Sequence, residues 1–336
     1  MAYTYRPTAS ILNLISQIEV SSALILNLPT SPTRQLNLRR VSTLKSSVFS
    51  ARIEGNPLMP SDINFSSISP QNKHKLEVQN ILTALNFIFS ARCPRRLSIT
   101  LIQKLHFYIL KNIGNSPGQF RTEQTGIFNQ AGVAIYLTPP PTEIKSRLQE
   151  LIAYTNTSPD HYIVKSALIH YWFEKIHPFE DGNGRVGRLI SQFLLDHRAR
   201  RFHGLLAFEE QIDQFRSEYY SLLTSSSFHL RKSAGANATD ITEFIEFYLE
   251  CVKLAAESTV DQLKQPESGG VEATLLPRRR ELLATIRDHH LMSFDQLHRR
   301  FLAVNQSTLR YDLNQLIKAG LVTKLGSTRG ALYQPK

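Results

Sequence analysis

His177-Pro178-Phe179-Glu180-Asp181-Gly182-Asn183-Gly184-Arg185-Val186-Gly187-Arg188 places a titratable base, two carboxylates, three glycines and two arginines within twelve residues. The apolar spacing of residues 161 to 176 (Ile163, Ala167, Leu168, Tyr171, Trp172) predicts a helix that stops near His177, because the ring of Pro178 disfavours helical backbone in the residue before it. A second helix is predicted over 185 to 199, with Leu189, Ile190, Phe193 and Leu194 on its buried face. Between the two, Gly182 and Gly184 permit positive φ values, and the unsatisfied N–H groups of the loop and of the second helix converge on an anion. Arg185 and Arg188, three apart, project from adjacent parts of one face, where rigid guanidinium forks can grip phosphate oxygens. Asp181 suits a Mg2+ (or Mn2+) that keeps most of its waters and bridges phosphates. His177 titrates near neutrality and can take a proton from an attacking hydroxyl, while Phe179 anchors the loop. Singly, each residue has a plainer reading as a cap or a turn; together they point to nucleotide chemistry.

The segment resembles the signature of the Fic family, His-x-Phe-x-Asp/Glu-Gly-Asn-Gly-Arg-x-x-Arg, at every specified position. The resemblance implies an all-helical core with a β-hairpin flap, mainly α in class, and transfer of AMP from ATP to a Ser, Thr or Tyr hydroxyl of a target protein, itself included, with release of pyrophosphate. It assigns His177 as general base, Asp181 as metal ligand, and Gly182, Asn183 and Gly184 as the anion cradle. Arg185 and Arg188 would hold the β and γ phosphates. Positioning and charge neutralisation, rather than covalent help, are what such transfer demands.

Upstream, Ser50-Ala51-Arg52-Ile53-Glu54-Gly55-Asn56 follows the Ser/Thr-x-x-x-Glu-Gly/Asn pattern of that family's inhibitory helix, and its plain reading is a helix C-terminus ended by Gly55 and Asn56. The resemblance implies that Glu54 pairs with Arg188, takes the place of the γ-phosphate and holds activity low. The stretches 117–124 and 134–141 resemble the flap, which aligns an extended target by strand addition; Arg121 and Ile127 are its candidate docking residues, and Gly126 and Gly132 bracket its tip. The chain departs from the common Asn-Trp-Ile-Gly pattern, reading Thr125-Gly126-Ile127-Phe128, which leaves target choice open. In Arg216 to Leu223 the resemblance places Tyr220 near the adenine, although paired aromatics at helical spacing also serve as core.

At 336 residues and 42% apolar, the chain suffices for a full core plus an accessory module. Helices are expected near 8–27, 33–54, 71–91, 98–112, 142–156, 161–176, 185–199, 208–224 and 239–264. The domains read as an N-terminal region over 1–70 carrying the inhibitory helix at about 33–54, a catalytic core over 71–264 with the flap at about 117–141, a linker at 265–276 and a small domain over 277–336. A polar insertion occupies 226–237. Two cysteines, Cys93 and Cys251, exclude a disulfide framework and fit a reducing compartment. With Glu19 inside the most hydrophobic stretch, neither a signal peptide nor a membrane span is expected, and the location reads as cytoplasmic.

Residues 271 to 336 hold 11 Lys and Arg against 5 Asp and Glu, which is 6 of the net +11. Pro277 opens a helix, Ser293 with Gln296 forms a capping box for a second, and a third follows Asn305 with Leu309, Leu313, Leu316 and Ile317 inward. A strand, a turn and a strand follow. This order resembles a winged helix-turn-helix domain, which implies DNA binding, with Arg310 and Asn314 reaching base edges and Lys324 and Arg329 touching phosphates, or else protein contacts or dimerisation through the same fold. Two function classes stay open: an autoinhibited AMP transferase, with removal of AMP or another phosphoryl-linked donor as variants, and a DNA-binding regulator whose core senses nucleotide. A homodimer that covers the flap is compatible with the chain, although no residue pattern calls for one.

Overall fold

The computed structural model describes residues 5–63, 72–128, 134–197, 201–225, 240–265, 275–302, 304–326 and 330–336. The polar insertion at 226–237, most of the linker, the flap tip with Gly132, and Arg329 lie outside them. The chain forms two compact units: Met1–Leu28, Arg39–Asp62 and Pro70–Leu263 make the first, and Pro29–Leu38, Ile63–Ser69 and Lys264–Lys336 the second.

Helices build the first unit: α1 (Ala9–Asn27), α2 (Pro32–Ile53) from Arg39 on, α3 (Lys73–Ile88), α4 (Ile99–Leu110), α5 (Ile144–Thr157), α6 (Tyr162–Ile176), α7 (Asn183–Gln192), α8 (Glu209–Gln214), α9 (Arg216–Ser225) and α10 (Thr242–Lys264) up to Leu263. Side-chain caps start several of them. Thr8, Asn72 and Ser98 each accept an N–H of the first turn, from Ile11, Lys75 and Leu101. Eleven of the fifteen residues of α6 are buried, so this helix is not a surface helix with one apolar stripe but the centre of the unit, packed most extensively against α7. Each fully buried Leu, Ile or Phe there contributes about 1.5–3 kcal/mol, which fixes the two helices that flank the motif. α1 is long and apolar enough to cross a membrane by length and composition, contrary to the reading from Glu19; Ile11, Leu14, Ile18 and Ile25 are buried in the unit.

α2 is built differently. Its inward residues include Ser42, Thr43, Ser46, Ser47 and Ser50, all buried, beside Val48, Phe49, Ala51 and Ile53. Helix boundaries elsewhere fall within a few residues of expectation, with two differences. The helix expected over 208–224 is broken at Phe215 into α8 and α9. The one expected from 185 begins at Asn183, and its end is a π-turn over Phe193–His197. The flap strands β1 (Gly126–Phe128) and β2 (Ala134–Leu137) pair antiparallel, Ile127 opposite Tyr136, with a register shift before Phe128. Gly126 therefore lies in a strand rather than at the tip.

The second unit holds α11 (Pro277–His289), β3 (Met292–Ser293), α12 (Phe294–Arg300), α13 (Gln306–Lys318), β4 (Val322–Leu325) and β5 (Leu332–Pro335). The capping box of Ser293 and Gln296 is present in both directions, and Leu282, Ile286, Leu297, Phe301, Leu309, Leu313 and Leu316 form one core. β3, only two residues long, adds to the expected hairpin and gives the sheet order β3-β5-β4. Asp312, on the inward side of α13, is fully buried and takes Arg278 at 2.5 Å and Arg279 at 2.8 Å, which is how a carboxylate in a core escapes its desolvation cost.

Candidate active site

His177 follows α6 with φ 48° and ψ 60°, a left-handed conformation rather than the extended one its proline favours. Three tethers hold it there. Its N–H donates to Phe173 O at 2.9 Å, its carbonyl accepts Arg121 Nε at 2.7 Å, and its Nδ1 lies 3.3 Å from Glu174 O. A carbonyl can only accept, so Nδ1 carries the proton and Nε2 is left as the basic nitrogen. Burial lowers the His177 pKa below its usual value, and the Arg121 guanidinium acts in the same direction. The imidazole is therefore neutral and ready to accept a proton at neutral pH.

The loop beyond it is closed from within. Asn183 accepts Phe179 N–H through Oδ1 and donates to Phe179 O through Nδ2, both at 2.9 Å. Its side chain thus holds the loop, and only its backbone is left for the cradle assigned to it. Phe179 is fully buried, stacked on His106 with ring centroids 3.7 Å apart. His106 is a residue the sequence reading missed. Its Nδ1 accepts Gly118 N–H at 2.8 Å, which fixes Nε2 as the donor to Asp181 O at 3.0 Å. Burial pushes its pKa down to about 4, so it stays neutral and keeps both bonds.

The two glycines act for different reasons. Gly182 takes φ +82°, and a Cβ there would meet Ile109 Cδ1 at 2.8 Å. Gly184 has no positive φ, correcting the expectation; it lies in the first turn of α7, where a Cβ would come within 2.2 Å of Glu54 Oε1 and 3.1 Å of Arg188 Nη1. Space over a helix N-terminus is thus filled by a carboxylate oxygen, the protein's own stand-in for an anion.

That carboxylate arrives from the end of α2. Gly55, at φ +99°, donates to Arg52 O at 2.9 Å and Asn56 N–H to Ala51 O at 3.1 Å, a Schellman termination that leaves Glu54 just beyond the helix. The buried Arg188 gives Nε to Ser50 Oγ at 2.9 Å and Nη2 to Ser50 O at 2.8 Å and Glu54 Oε1 at 2.7 Å. Arg185 is taken up as well, by Glu77 of α3 at 2.5 Å and Asp181 Oδ1 at 2.6 Å, and Glu77 receives Asn56 Nδ2 at 2.8 Å. Both motif arginines are therefore wired to residues 50–56, one directly and one through Glu77.

A cavity of about 260 Å³ opens beside the loop, lined among others by Glu54, Glu174, His177, Asp181, Gly184 and Tyr220. Tyr220 is a partly exposed wall residue whose hydroxyl donates to Ile53 O at 3.0 Å. Its neighbour Tyr219 is buried and bonded to His170 Nε2 at 2.8 Å. Glu174, in the turn before His177, is pushed up to about 8 by burial and by the nearby Glu54, against the opposing pull of Arg188 and Lys175.

The structure corrects one flap assignment. Arg121 is buried and donates to the carbonyls of Glu123, Pro139, Ile176 and His177, so it bolts the flap root to the loop and offers no charge to a target. Ile127 lies in β1 as expected. In the second unit, Asn314 and Lys324 are exposed, while the Arg310 guanidinium lies 3.8 Å over the Phe294 ring. Arg329 is outside the described residues.

Residues 96–195 match the Fic/DOC family model. That stretch, and not the whole chain, is similar to the Fic/DOC family. It is 29% identical over 238 residues to the protein adenylyltransferase Fic of Drosophila virilis, covering 66% of this chain and 42% of that protein. The corresponding protein of Drosophila melanogaster is 29% identical over 191 residues, 55% of this chain and 33% of that one. The chain thus spans less than half the length of these curated relatives. The fold is similar to a Fic family protein from Desulfovibrio desulfuricans G20, at TM-score 0.66 and 21% identity, covering 99% of this chain and 97% of that one. A Fic domain containing signaling protein from Bacteroides thetaiotaomicron matches at TM-score 0.61 and 22% identity, covering 76% of this chain and 97% of that one. The mainly helical Fic architecture is shared with both.

Proposed function

We propose that the Fic domain is a protein adenylyltransferase that moves AMP from ATP to a Ser, Thr or Tyr hydroxyl of a protein and is held back by Glu54. The observation that carries the reading is the Glu54 carboxylate lying over Gly184 and on Arg188, an anion in an anion site. In the transfer, the target oxygen bonds to the α-phosphorus, the bond from that phosphorus to the β-phosphate bridging oxygen breaks, the hydroxyl proton passes to His177 Nε2, and pyrophosphate leaves. Arg188, freed from Glu54, and the N–H groups at the start of α7 are matched to the leaving phosphates.

Among the described residues no group of three His, Cys, Asp and Glu could hold a metal by itself. Asp181, whose Oδ1 is taken by Arg185 but whose carboxylate is largely exposed, nonetheless fits a Mg2+ or Mn2+ whose other ligands would be waters and phosphate oxygens. Such an ion would neutralise charge developing on the phosphates.

Mg2+ and ATP labelled at the α-phosphate should label protein with Glu54→Gly more than with wild type, and not with His177→Ala. Absence of label from Glu54→Gly overturns the reading. A second reading concerns the second unit: exposed Asn314 and Lys324 and the local positive excess favour a DNA contact. Full-length chain should then bind duplex with an affinity that falls steeply with salt and weakens in Lys324→Ala.

A further inference from the structure

The end of α2 has a second set of anchors, away from the motif arginines. A helix leaves its last carbonyls without intrahelical partners, and the Schellman bonds here serve only those of Ala51 and Arg52. Side chains of α9 reach in to supply a partner for Ile53 and a second donor for Arg52. The Tyr220 hydroxyl donates to Ile53 O at 3.0 Å, and Arg216 Nη2 donates to Arg52 O. Arg216 is itself held by Asp213 at 2.6 Å, and the other oxygen of Asp213 takes Arg52 Nε at 3.1 Å. Arg52 Nη1 then crosses the turn to the carbonyls of Pro57 and Leu58, both at 3.3 Å. The residue two before Glu54 is thus gripped by backbone and side chain at once. The break at Phe215 is part of this arrangement, since Asp213 lies in the last turn of α8 and Arg216 starts α9.

We infer that Asp213, Arg216 and Tyr220 form a clamp that positions the Glu54 turn and so sets the strength of inhibition. The inference rests on the proposed function above. None of the three touches Arg188 in the geometry described, so they act through the turn and are positioning residues. Because Tyr220 also walls the cavity, a ligand in that end of the cavity lies against one of the groups that hold the turn. The inward face of α2 mixes buried Ser and Thr with Val48, Phe49, Ala51 and Ile53, so release of the turn concerns the segment beyond Ile53, where side chains are held by polar bonds.

Arg216→Ala and Asp213→Asn test the clamp in the full chain, with thermal melting as a check on folding. In the wild-type background each should raise label transfer about tenfold, the size expected for losing a charge-assisted hydrogen bond. In the Glu54→Gly background neither should change it, because nothing is left to position. Arg216→Lys, which keeps a donor and the charge, should fall back toward wild type. An equal rise in both backgrounds, or no rise in either, overturns the clamp. Hydrogen exchange of the amides over residues 50–58 requires no activity, and in Arg216→Ala it should speed up severalfold. Unchanged exchange overturns the clamp even if Glu54→Gly proves inactive, which would overturn only the proposed transfer reaction.

Discussion

The loop after α6 and the turn after α2 both end a helix, both depend on a left-handed residue at that end, and meet at Arg188, yet they are held by opposite means. The catalytic loop is over-determined: Phe179 is sealed among His106, Phe120 and Phe173, Asn183 closes it with two bonds, and Arg121 and His106 fasten it to the flap root. The Glu54 turn, past the buried Ala51 and Ile53, is held mainly by polar bonds, its Glu54 side chain about a third exposed and Gly55 with nothing within 4 Å of a Cβ. Buried apolar packing cannot be exchanged for solvent without cost, whereas a hydrogen bond to an arginine can be traded for one from a phosphate almost evenly. On the proposed function, the segment that stays is packed and the segment that is replaced is wired.

Breaking the packed side should have the largest effect. Phe179→Ala empties a site against His106 and is expected to cost about 3–5 kcal/mol in stability, read by denaturant unfolding. A loss under 1 kcal/mol would show that the loop is less packed than this contrast requires. On the wired side, Glu54→Gly should cost less stability, about 1.5–3 kcal/mol, and raise transfer roughly ten- to a hundredfold, the worth of one charged hydrogen bond to the buried Arg188. Gly55→Ala keeps the carboxylate but strains φ +99°, costing about 1–2 kcal/mol; a smaller rise in transfer than with Glu54→Gly is expected, seen in the same assay.

The smallest effect is in pH dependence. Burial lowers the His177 pKa, and a base works only when unprotonated, so the acid limb of kcat/KM for Glu54→Gly should fall below the ordinary histidine value of 6.5. Burial also raises Glu209, which joins Gln192 of α7 near Ser46 of α2, from 4.5 to about 7. The native state then holds the extra proton between those values, so stability is full below about 4.5 and is lost as pH rises through about 7. Glu209→Gln should flatten that decline in melting temperature; an unaltered slope would remove Glu209 from the seam between α2 and α7.

Legibility in the sequence follows the same division. The site around residues 177–188 could be read because its chemistry is contiguous and its flanking helices are strongly apolar. The Ser50 to Asn56 turn needed the resemblance, since Glu-Gly-Asn at a helix end looks like any termination, and indeed it is one. What no local pattern carries are partners brought from afar: Glu77 to Arg185 across 108 residues and Arg216 to Arg52 across 164. His106 looks like a core residue of an apolar helix, and only its two bonds reveal what it fastens. Phe215 breaks a helix with neither Gly nor Pro to announce it. Gly184 was readable as a glycine that matters but for the wrong reason, because close approach and positive φ leave the same letter.

Arg121 ties the flap root and the His177 carbonyl into one solid piece, so the separation between a strand laid along the flap and the base is a constant of the molecule. On the proposed function the domain would work as a gauge: an extended segment of any composition could be presented, but only a hydroxyl whose side chain spans that gap would arrive in line, and selection would fall on reach and register rather than on sequence.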